Sequence, residues 1–186
     1  MIGLVVIVVI VAVLLFMTVG VYNRLVGLRQ RANQAFADID VQLRQRHDLI
    51  PNLVETVKGY ATHERGTLEA VTTARNAAVA AQGVEGKVQA ENALTGALRQ
   101  LFAVAEAYPD LKANQNFLQL QSELADIENK LAASRRFFNS AVGEFNAAIQ
   151  QFPAVLFAPA LGFTPREFFD LGEQRATVGE APQVKF

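Results

Sequence analysis

The chain lacks cysteine and tryptophan, and it lacks an excess of either charge. Without cysteine these 186 residues cannot form a disulfide, a cysteine nucleophile, a thiolate metal site or a lipid attachment through cysteine. The 17 Lys and Arg side chains nearly balance the 18 Asp and Glu side chains, which disfavours an electrostatic role in binding nucleic acid. The composition therefore predicts no nucleic-acid partner.

Charge is missing completely from residues 1–23, and residues 2–21 are almost wholly apolar. An apolar helix of this length rises about 30 Å, the thickness of the hydrocarbon core of a bilayer. We predict that residues 1–23 form a transmembrane anchor. The alternative is a cleaved signal peptide, which is disfavoured because the apolar run is too long and has neither a basic start nor a small-residue cleavage site before Tyr22.

The predicted membrane interface lies at Tyr22, Arg24 and Arg29. Tyrosine is enriched at membrane surfaces, and basic residues follow the span at Arg24, Arg29 and Arg31 while none precedes it. The positive-inside rule then predicts a single-pass protein of the plasma (inner) membrane with its C-terminal domain in the cytoplasm. An extracytoplasmic domain is the alternative. Membrane lipids are the first predicted partner.

The remaining pattern predicts helices that share one core. Apolar residues recur at spacings of three and four after Arg24, as on one face of a helix. Corners are predicted at Asp48–Pro51, Gln82–Gly86 and Pro109–Lys112 from their proline and glycine residues. The fold class is therefore all-α, with an N-terminal transmembrane helix that continues into an elongated antiparallel bundle of long helices over residues 24–152.

The last predicted helix, residues 114–152, has the clearest pattern. Alternating steps of three and four from Phe117 give eleven positions, of which ten are apolar, and this is a heptad seam. The positions are Phe117, Leu120, Leu124, Ile127, Leu131, Ser134, Phe138, Ala141, Phe145, Ala148 and Phe152.

Two further segments follow the bundle: an apolar strap at residues 153–171 and a flexible C-terminal tail at residues 172–186. The strap is interrupted by prolines and is too short to span a membrane. It either packs over one end of the bundle or contacts the membrane interface or another subunit. The predicted oligomer or partner contacts are Phe157, Leu161, Phe163, Val184 and Phe186.

The polar residues predict no catalytic, metal or cofactor site. His47 with Asp48, and His63 with Glu64, could ligate a metal, but the spacings of helix-bundle and zinc motifs are absent. Surface or capping roles are therefore expected for both histidines. The charged residues near the first corner are expected to form a solvated or interhelical charge lattice, and they are Asp38, Asp40, Arg44, Arg46 and Glu55.

Three long motifs resemble the LemA family: Tyr22 to Val26 (YNRLV), Arg46 to Ala61 (RHDLIPNLVETVKGYA) and Tyr108 to Phe117 (YPDLKANQNF). Shorter matches at RRFFN, FP, GF and the terminal APQVKF extend the resemblance over nearly the whole chain. The resemblance implies a membrane anchor, an antiparallel helical bundle and no established enzymatic activity. Some relatives are linked to magnetosome membranes, which implies membrane organisation or remodelling. Others carry a lipid-anchoring cysteine before the Tyr-Asn pair, where this chain has Val21.

Three hypotheses for function follow. The first is a non-enzymatic, membrane-anchored homo-oligomer that scaffolds, organises or remodels the membrane, because apolar surface remains after one bundle closes. The second is a membrane-tethered adaptor that presents the bundle or the C-terminal tail to another membrane or signalling protein. The third, an enzyme, has the least support, since no nucleophile, base and orienting group can be assembled from the pattern.

Overall fold

The computed structural model describes residues 1–170, and these form helices without a strand. The helices are α1 (Ile2–Lys58), α2 (Arg65–Ala80), α3 (Gly83–Glu106), α4 (Pro109–Lys112) and α5 (Gln115–Gln150), followed by a 3-10 turn at Ala154–Leu156. The predicted all-α bundle with a long N-terminal apolar helix is confirmed. The described residues divide into two compact units, one of Met1–Asp38 with Ser134–Glu167 and one of Ile39–Ala133 with residues 168–170.

The predicted corner at Asp48–Pro51 is wrong, because α1 continues through Pro51 to Lys58. Proline inside a helix removes the hydrogen bond to the carbonyl four residues earlier, and here that carbonyl belongs to His47. The side chain of Arg75 in α2 donates from Nε to this oxygen at 3.2 Å. A side-chain donor thus satisfies the backbone acceptor that Pro51 leaves open, which helps the helix to continue.

The other connections lie close to the predicted corners. The turn after α2 ends at Gln82 rather than Gly86, and Gly83 has a φ of 72°, a conformation that glycine adopts without steric cost. Residues 109–112 form the short helix α4, which Pro109 can start because its missing N–H needs no partner there. The Asn114 side chain then caps α5, accepting from the Phe117 backbone N–H at 3.0 Å.

The seam predicted for α5 is confirmed at most of its positions. In the second unit Phe117, Leu124, Ile127 and Leu131 are buried, and in the first unit Phe138, Ala141, Phe145 and Ala148 are buried. Phe152, the last predicted position, lies beyond the end of α5 and is 77% exposed.

Each unit has its own buried apolar cluster. In the second unit α1, α2, α3, α4 and the start of α5 supply a cluster that includes Ile50, Leu53, Val71, Leu98 and Leu111. The first unit buries Leu25, Phe145, Ala148, Ile149, Ala154, Ala158 and Phe163, with Val21, Val26 and Leu28 packed against them. Three residues of the predicted strap therefore belong to a core.

Candidate membrane interface and buried polar cluster

The N-terminal part of α1 presents apolar side chains that nothing in the structure covers. Every residue from Met1 to Gly20 is exposed, and by length and composition this helix is able to cross a membrane. Because its apolar window is not buried, it is not a core helix of the bundle. An uncovered apolar surface of this size favours contact with lipid over contact with water.

The predicted interface residues lie at the end of this exposed run, and two of them contact the strap. The Tyr22 ring meets the Phe163 ring edge to face, with centroids 5.6 Å apart. The Arg29 guanidinium carbon lies 5.0 Å from the centroid of the same ring, a cation–π contact. Arg24 is exposed. Their role at a membrane stays a prediction, although the structure brings Tyr22 and Arg29 together around one phenylalanine.

Phe163 differs from the role predicted for it. It was assigned to an oligomer or partner contact, but it is only 2% exposed and packs in the core of the first unit beside Phe145. The surrounding rings satisfy its apolar surface within one chain, so it is not available to a partner in this structure. For Phe157, which is half-buried, and Leu161, which is 43% exposed, the predicted contact stays open. Val184 and Phe186 lie outside the described residues.

Two hydrogen bonds between Asn146 and the Arg166 backbone hold the end of the strap against α5. The Asn146 side-chain oxygen accepts from the Arg166 backbone N–H at 2.8 Å, and its nitrogen donates to the Arg166 carbonyl at 2.9 Å. The Arg166 guanidinium in turn donates to the Asn33 side-chain oxygen at 2.7 Å. The strap is thus held to α5 and α1 by polar contacts as well as by Phe163.

The outward side of the same segment carries apolar residues that the sequence analysis did not single out as contacts. Phe152 is 77% exposed, Leu156 is 72% exposed and Val155 is 45% exposed. We call these three residues the outer patch. The available signal was the closeness of these large apolar residues to one another within an uncharged stretch of the sequence.

The second unit contains a buried polar cluster centred on Glu91 of α3. Its carboxylate accepts from Arg46 Nη1 at 2.8 Å and lies 2.6 Å from His47 Nε2, and all three side chains are buried. Arg46 Nη2 also donates to Thr95 at 3.0 Å and pairs with Glu128 of α5 at 2.7 Å. Arg46 therefore links α1, α3 and α5 within this unit.

This cluster corrects the role predicted for His47, and its ion pairs agree with the interhelical alternative of the predicted charge lattice. His47 was assigned a surface or capping role and is instead 5% exposed against Glu91. Of the predicted charge lattice, Arg46 is buried while Asp40 pairs with Lys87 and Glu55 pairs with Lys58. A signal existed, because Arg46 continues the apolar stripe of α1 and Glu91 lies one step of three before Leu94 on the stripe of α3. Opposite charges on two core stripes favour a buried pair.

An apolar groove of about 270 Å³ adjoins this cluster. Leu98, Phe102 and Leu124 line it, with Arg46 and Glu128 at its polar side. The Arg46 Nε atom is buried and has no hydrogen-bond partner among the described residues. Such a groove has the size and chemistry to accept an apolar side chain.

A second, more polar groove of about 450 Å³ includes His47, Asp40, Arg75 and Lys87 in its lining. Three of its charged side chains are bonded locally, since Lys87 contacts Asp40 and Arg75 donates to the His47 carbonyl. Over residues 1–170 no three His, Asp or Glu side chains are grouped in a way that could hold a metal ion.

An exposed apolar helix joined to a helical bundle with a buried charge cluster defines an all-α, membrane-associated protein. The chain belongs to the LemA family, whose model matches residues 35–186. The resemblance seen in the motifs is therefore confirmed.

Two relatives show how this similarity is distributed. The chain is 26% identical to Magnetosome protein MamQ of Magnetospirillum gryphiswaldense over 174 residues, covering 80% of this chain and 64% of that protein. It is 29% identical to Protein LemA of Metamycoplasma hominis over 142 residues, covering 74% of this chain and 63% of that protein. The chain thus spans less than two thirds of the length of these two relatives, and neither name states an enzymatic activity.

Proposed function

We propose that this protein is a non-enzymatic, single-pass membrane protein whose bundles self-associate to scaffold, organise or remodel the membrane. The observation that carries the proposal is the uncovered apolar run of α1 from Ile2 to Gly20. Exposure of such an apolar surface to water is unfavourable, and insertion into a bilayer removes this cost because the surface then contacts lipid. The name of the MamQ relative refers to a magnetosome, and this similarity supports a role in membrane organisation.

Orientation follows from the arginines that come after the run. Arg24, Arg29 and Arg31 lie about one to three helical turns beyond the end of the exposed run. Basic residues beside a span are retained on the cytoplasmic side. We therefore place the bundle in the cytoplasm, with the anchor in the plasma membrane.

Fractionation tests the anchor. Full-length protein is expected to stay with membranes after an alkaline carbonate wash and to be released by detergent. A matched variant with Leu14→Glu and Leu15→Glu should lose this retention, because charges near the centre of a span are unfavourable. Full-length protein in the washed supernatant would contradict the proposal.

Native mass measurement in detergent tests self-association. The candidate contacts are the apolar helix itself and the strap residues Phe157 and Leu161. We expect a defined oligomer whose population rises with protein concentration. The Leu161→Glu substitution should shift the equilibrium towards monomer. A strict monomer at every concentration would count against scaffolding by self-association.

The apolar groove beside Arg46 favours a second function, that of an adaptor for another membrane or signalling protein. An anchor side chain of a partner could fill the space between Leu98, Phe102 and Leu124. A photo-crosslinking residue at Phe102 should then capture a distinct protein, while the same residue at exposed Leu118, which does not line the groove, should not. Capture of a second copy of this chain would support self-association instead.

A further inference from the structure

The segment from Gln151 to Pro165 carries no charged side chain, and its two sides have different surroundings. Ala154, Ala158 and Phe163 are buried in the first unit. The outer patch of Phe152, Val155 and Leu156 is exposed. Burial of the inner side therefore accounts for only part of the apolar composition, since the large side chains of the outer patch remain outside the core.

The backbone brings these three residues together at a short turn. The Val155 N–H donates to the Gln151 carbonyl at 2.9 Å, and the Leu156 N–H donates to the Pro153 carbonyl at 3.2 Å. The 3-10 turn of Ala154–Leu156 begins directly after Pro153, so Phe152, Val155 and Leu156 lie close together in one short stretch of backbone. All three side chains are exposed, and they form a small group of apolar residues at the surface.

Contacts between α1 and α5 give the level of this surface along the anchor. Phe36 packs beside Phe138, and Arg31 pairs with Glu144. The contact earlier in α1 is made with the later residue of α5, so the two helices run antiparallel here. A step of about five residues back along α1 corresponds to a step of about six residues forward along α5. Continued to the end of α5, this register puts Gln150 near the level of Arg24, and Phe152 follows directly after the helix.

The level of Leu156 follows from contacts of the strap, because Leu156 lies beyond the end of α5, between Ala154 and Ala158. Phe163 touches Tyr22, and Val21 packs against the cluster that contains Ala154 and Ala158. The outer patch thus lies beside the last turn of the exposed apolar run of α1. Its neighbours on α1 are the predicted interface residues, with Arg24 and Arg29 on the side away from the apolar run.

We propose that the outer patch inserts into the boundary between headgroups and acyl chains of the leaflet that α1 leaves. The proposal rests on the anchor of the proposed function. Lipid is the chosen occupant because the patch continues the apolar surface of α1 and is uncharged, while basic side chains that suit anionic headgroups begin at Arg24. Apolar side chains at such a boundary are buried in lipid to a shallow depth.

This second contact has a consequence for the membrane. A single spanning helix leaves the attached unit free to tilt, whereas two contacts on the same side restrict its orientation. Shallow side chains also occupy area in one leaflet only, and insertion of this kind is sensitive to curvature and lipid composition. The outer patch therefore supplies a physical route from an anchored bundle to membrane shape.

Depth-dependent quenching tests the proposal on the full chain, which is suited to single labels because it has no cysteine. An environment-sensitive fluorophore is attached to Leu156→Cys, and the protein is reconstituted into vesicles of phosphatidylcholine and phosphatidylglycerol. Some of the lipids carry a nitroxide at a shallow or a deep acyl position. Phe16→Cys in the anchor and exposed Leu118→Cys in the second unit are the controls.

We expect the Leu156 label to be quenched several-fold more by the shallow nitroxide than by the deep one, and the Leu118 label to be quenched by neither. The Phe16 label should be quenched by the deep nitroxide. If the Phe16 label is quenched and the Leu156 label is not, the outer patch does not insert, although α1 does span the membrane. If neither is quenched, the anchor itself is wrong.

A third result identifies a different occupant. A blue-shifted Leu156 label that no nitroxide quenches would lie in a protein interface, and it would overturn insertion into lipid in favour of a contact with a second copy or another protein. Reconstitution at high lipid-to-protein ratio should leave the expected shallow quenching unchanged, because lipid contact does not depend on neighbouring copies.

Discussion

Glu91 is the shared acceptor for two buried side chains, Arg46 and His47. We therefore expect its replacement to lower the stability of the second unit strongly. Replacing it by alanine removes the partner of His47 and one of the two carboxylates of Arg46. Loss of one member of a buried ion pair costs roughly 3–5 kcal/mol, so we expect Glu91→Ala to lower the free energy of unfolding by about that amount. Chemical denaturation of the full chain in detergent, followed by circular dichroism, measures the change.

Glu55→Ala is the matched control, because Glu55 pairs with Lys58 on the surface of α1 and both side chains are more than half exposed. Its expected cost is about 0–1 kcal/mol. Equal effects of the two substitutions would show that the buried cluster does not stabilise the unit. Arg46→Met combined with Glu91→Leu should cost less than Glu91→Ala alone, since no buried charge is then left without its partner.

Phe163 permits a similar comparison in the first unit. Arg29 lies over its ring at 5.0 Å and Arg31 lies over the Phe137 ring at 5.8 Å, but Phe163 is 2% exposed whereas Phe137 is 46% exposed. Phe163→Ala is expected to cost about 3–5 kcal/mol, the range for a buried phenylalanine. Phe137→Ala should cost only about 0.5–1 kcal/mol, the range of an exposed cation–π contact. Thermal unfolding of both variants measures the difference, and a similar shift in both would contradict the core role of Phe163.

At the scale of elements, the continuity of α1 depends on how the carbonyl freed by Pro51 is bonded. Arg75 supplies the donor, and a hydrogen bond from a charged group contributes roughly 1.5–3 kcal/mol. Arg75→Met should therefore be destabilising by about that amount. In a Pro51→Ala background the restored backbone N–H can bond to His47, so the cost of Arg75→Met should fall by at least about 0.5 kcal/mol, a typical coupling between contacting residues.

A double-mutant cycle of these variants in denaturant gives the coupling directly. Additive costs would mean that Arg75 stabilises the unit through other contacts, such as its bond to Asn76. Arg44→Met serves as the control, because Arg44 is exposed and bonds only weakly to the Asp40 carbonyl at 3.4 Å. Its cost should not depend on the residue at position 51.

The success of the sequence reasoning differed between elements for physical reasons. Helix α5 was predictable because its seam from Phe117 to Ala148 is a local, periodic signal that burial enforces. The end of α1 was not, because Pro51 was interpreted without the Arg75 donor that lies 24 positions away in the sequence. The Glu91 cluster was missed for the same reason, as its partners Arg46 and His47 are 45 and 44 positions away. In the strap, apolar composition alone could not separate buried Phe163 from exposed Leu156.

At the scale of the whole molecule, α1 and α5 each contribute residues to both units. The first unit combines the apolar run, Tyr22 and residues 153–167 of the strap, whereas the second unit contains the Glu91 cluster and the apolar groove. Functions that depend on lipid are therefore expected to respond to changes in the first unit. Partner recognition through the groove should respond to changes in the second, and variants such as Leu161→Glu and Phe102→Ala should separate the two.

Membrane orientation decides which molecules either unit can meet, and a pair of reporters at the C-terminus tests it. With Arg24, Arg29 and Arg31 after the span, a reporter that fluoresces only in the cytoplasm should be active, and an enzyme that matures only outside the cytoplasm should be inactive. Three lysines inserted after Met1 together with Arg24→Gln should shift activity towards the second reporter, because the basic bias on the two sides becomes similar. Arg44→Gln is the control, since this residue lies about 30 Å further along α1. Activity of the outward reporter in the unaltered chain would reverse the orientation and place the bundle outside the cytoplasm.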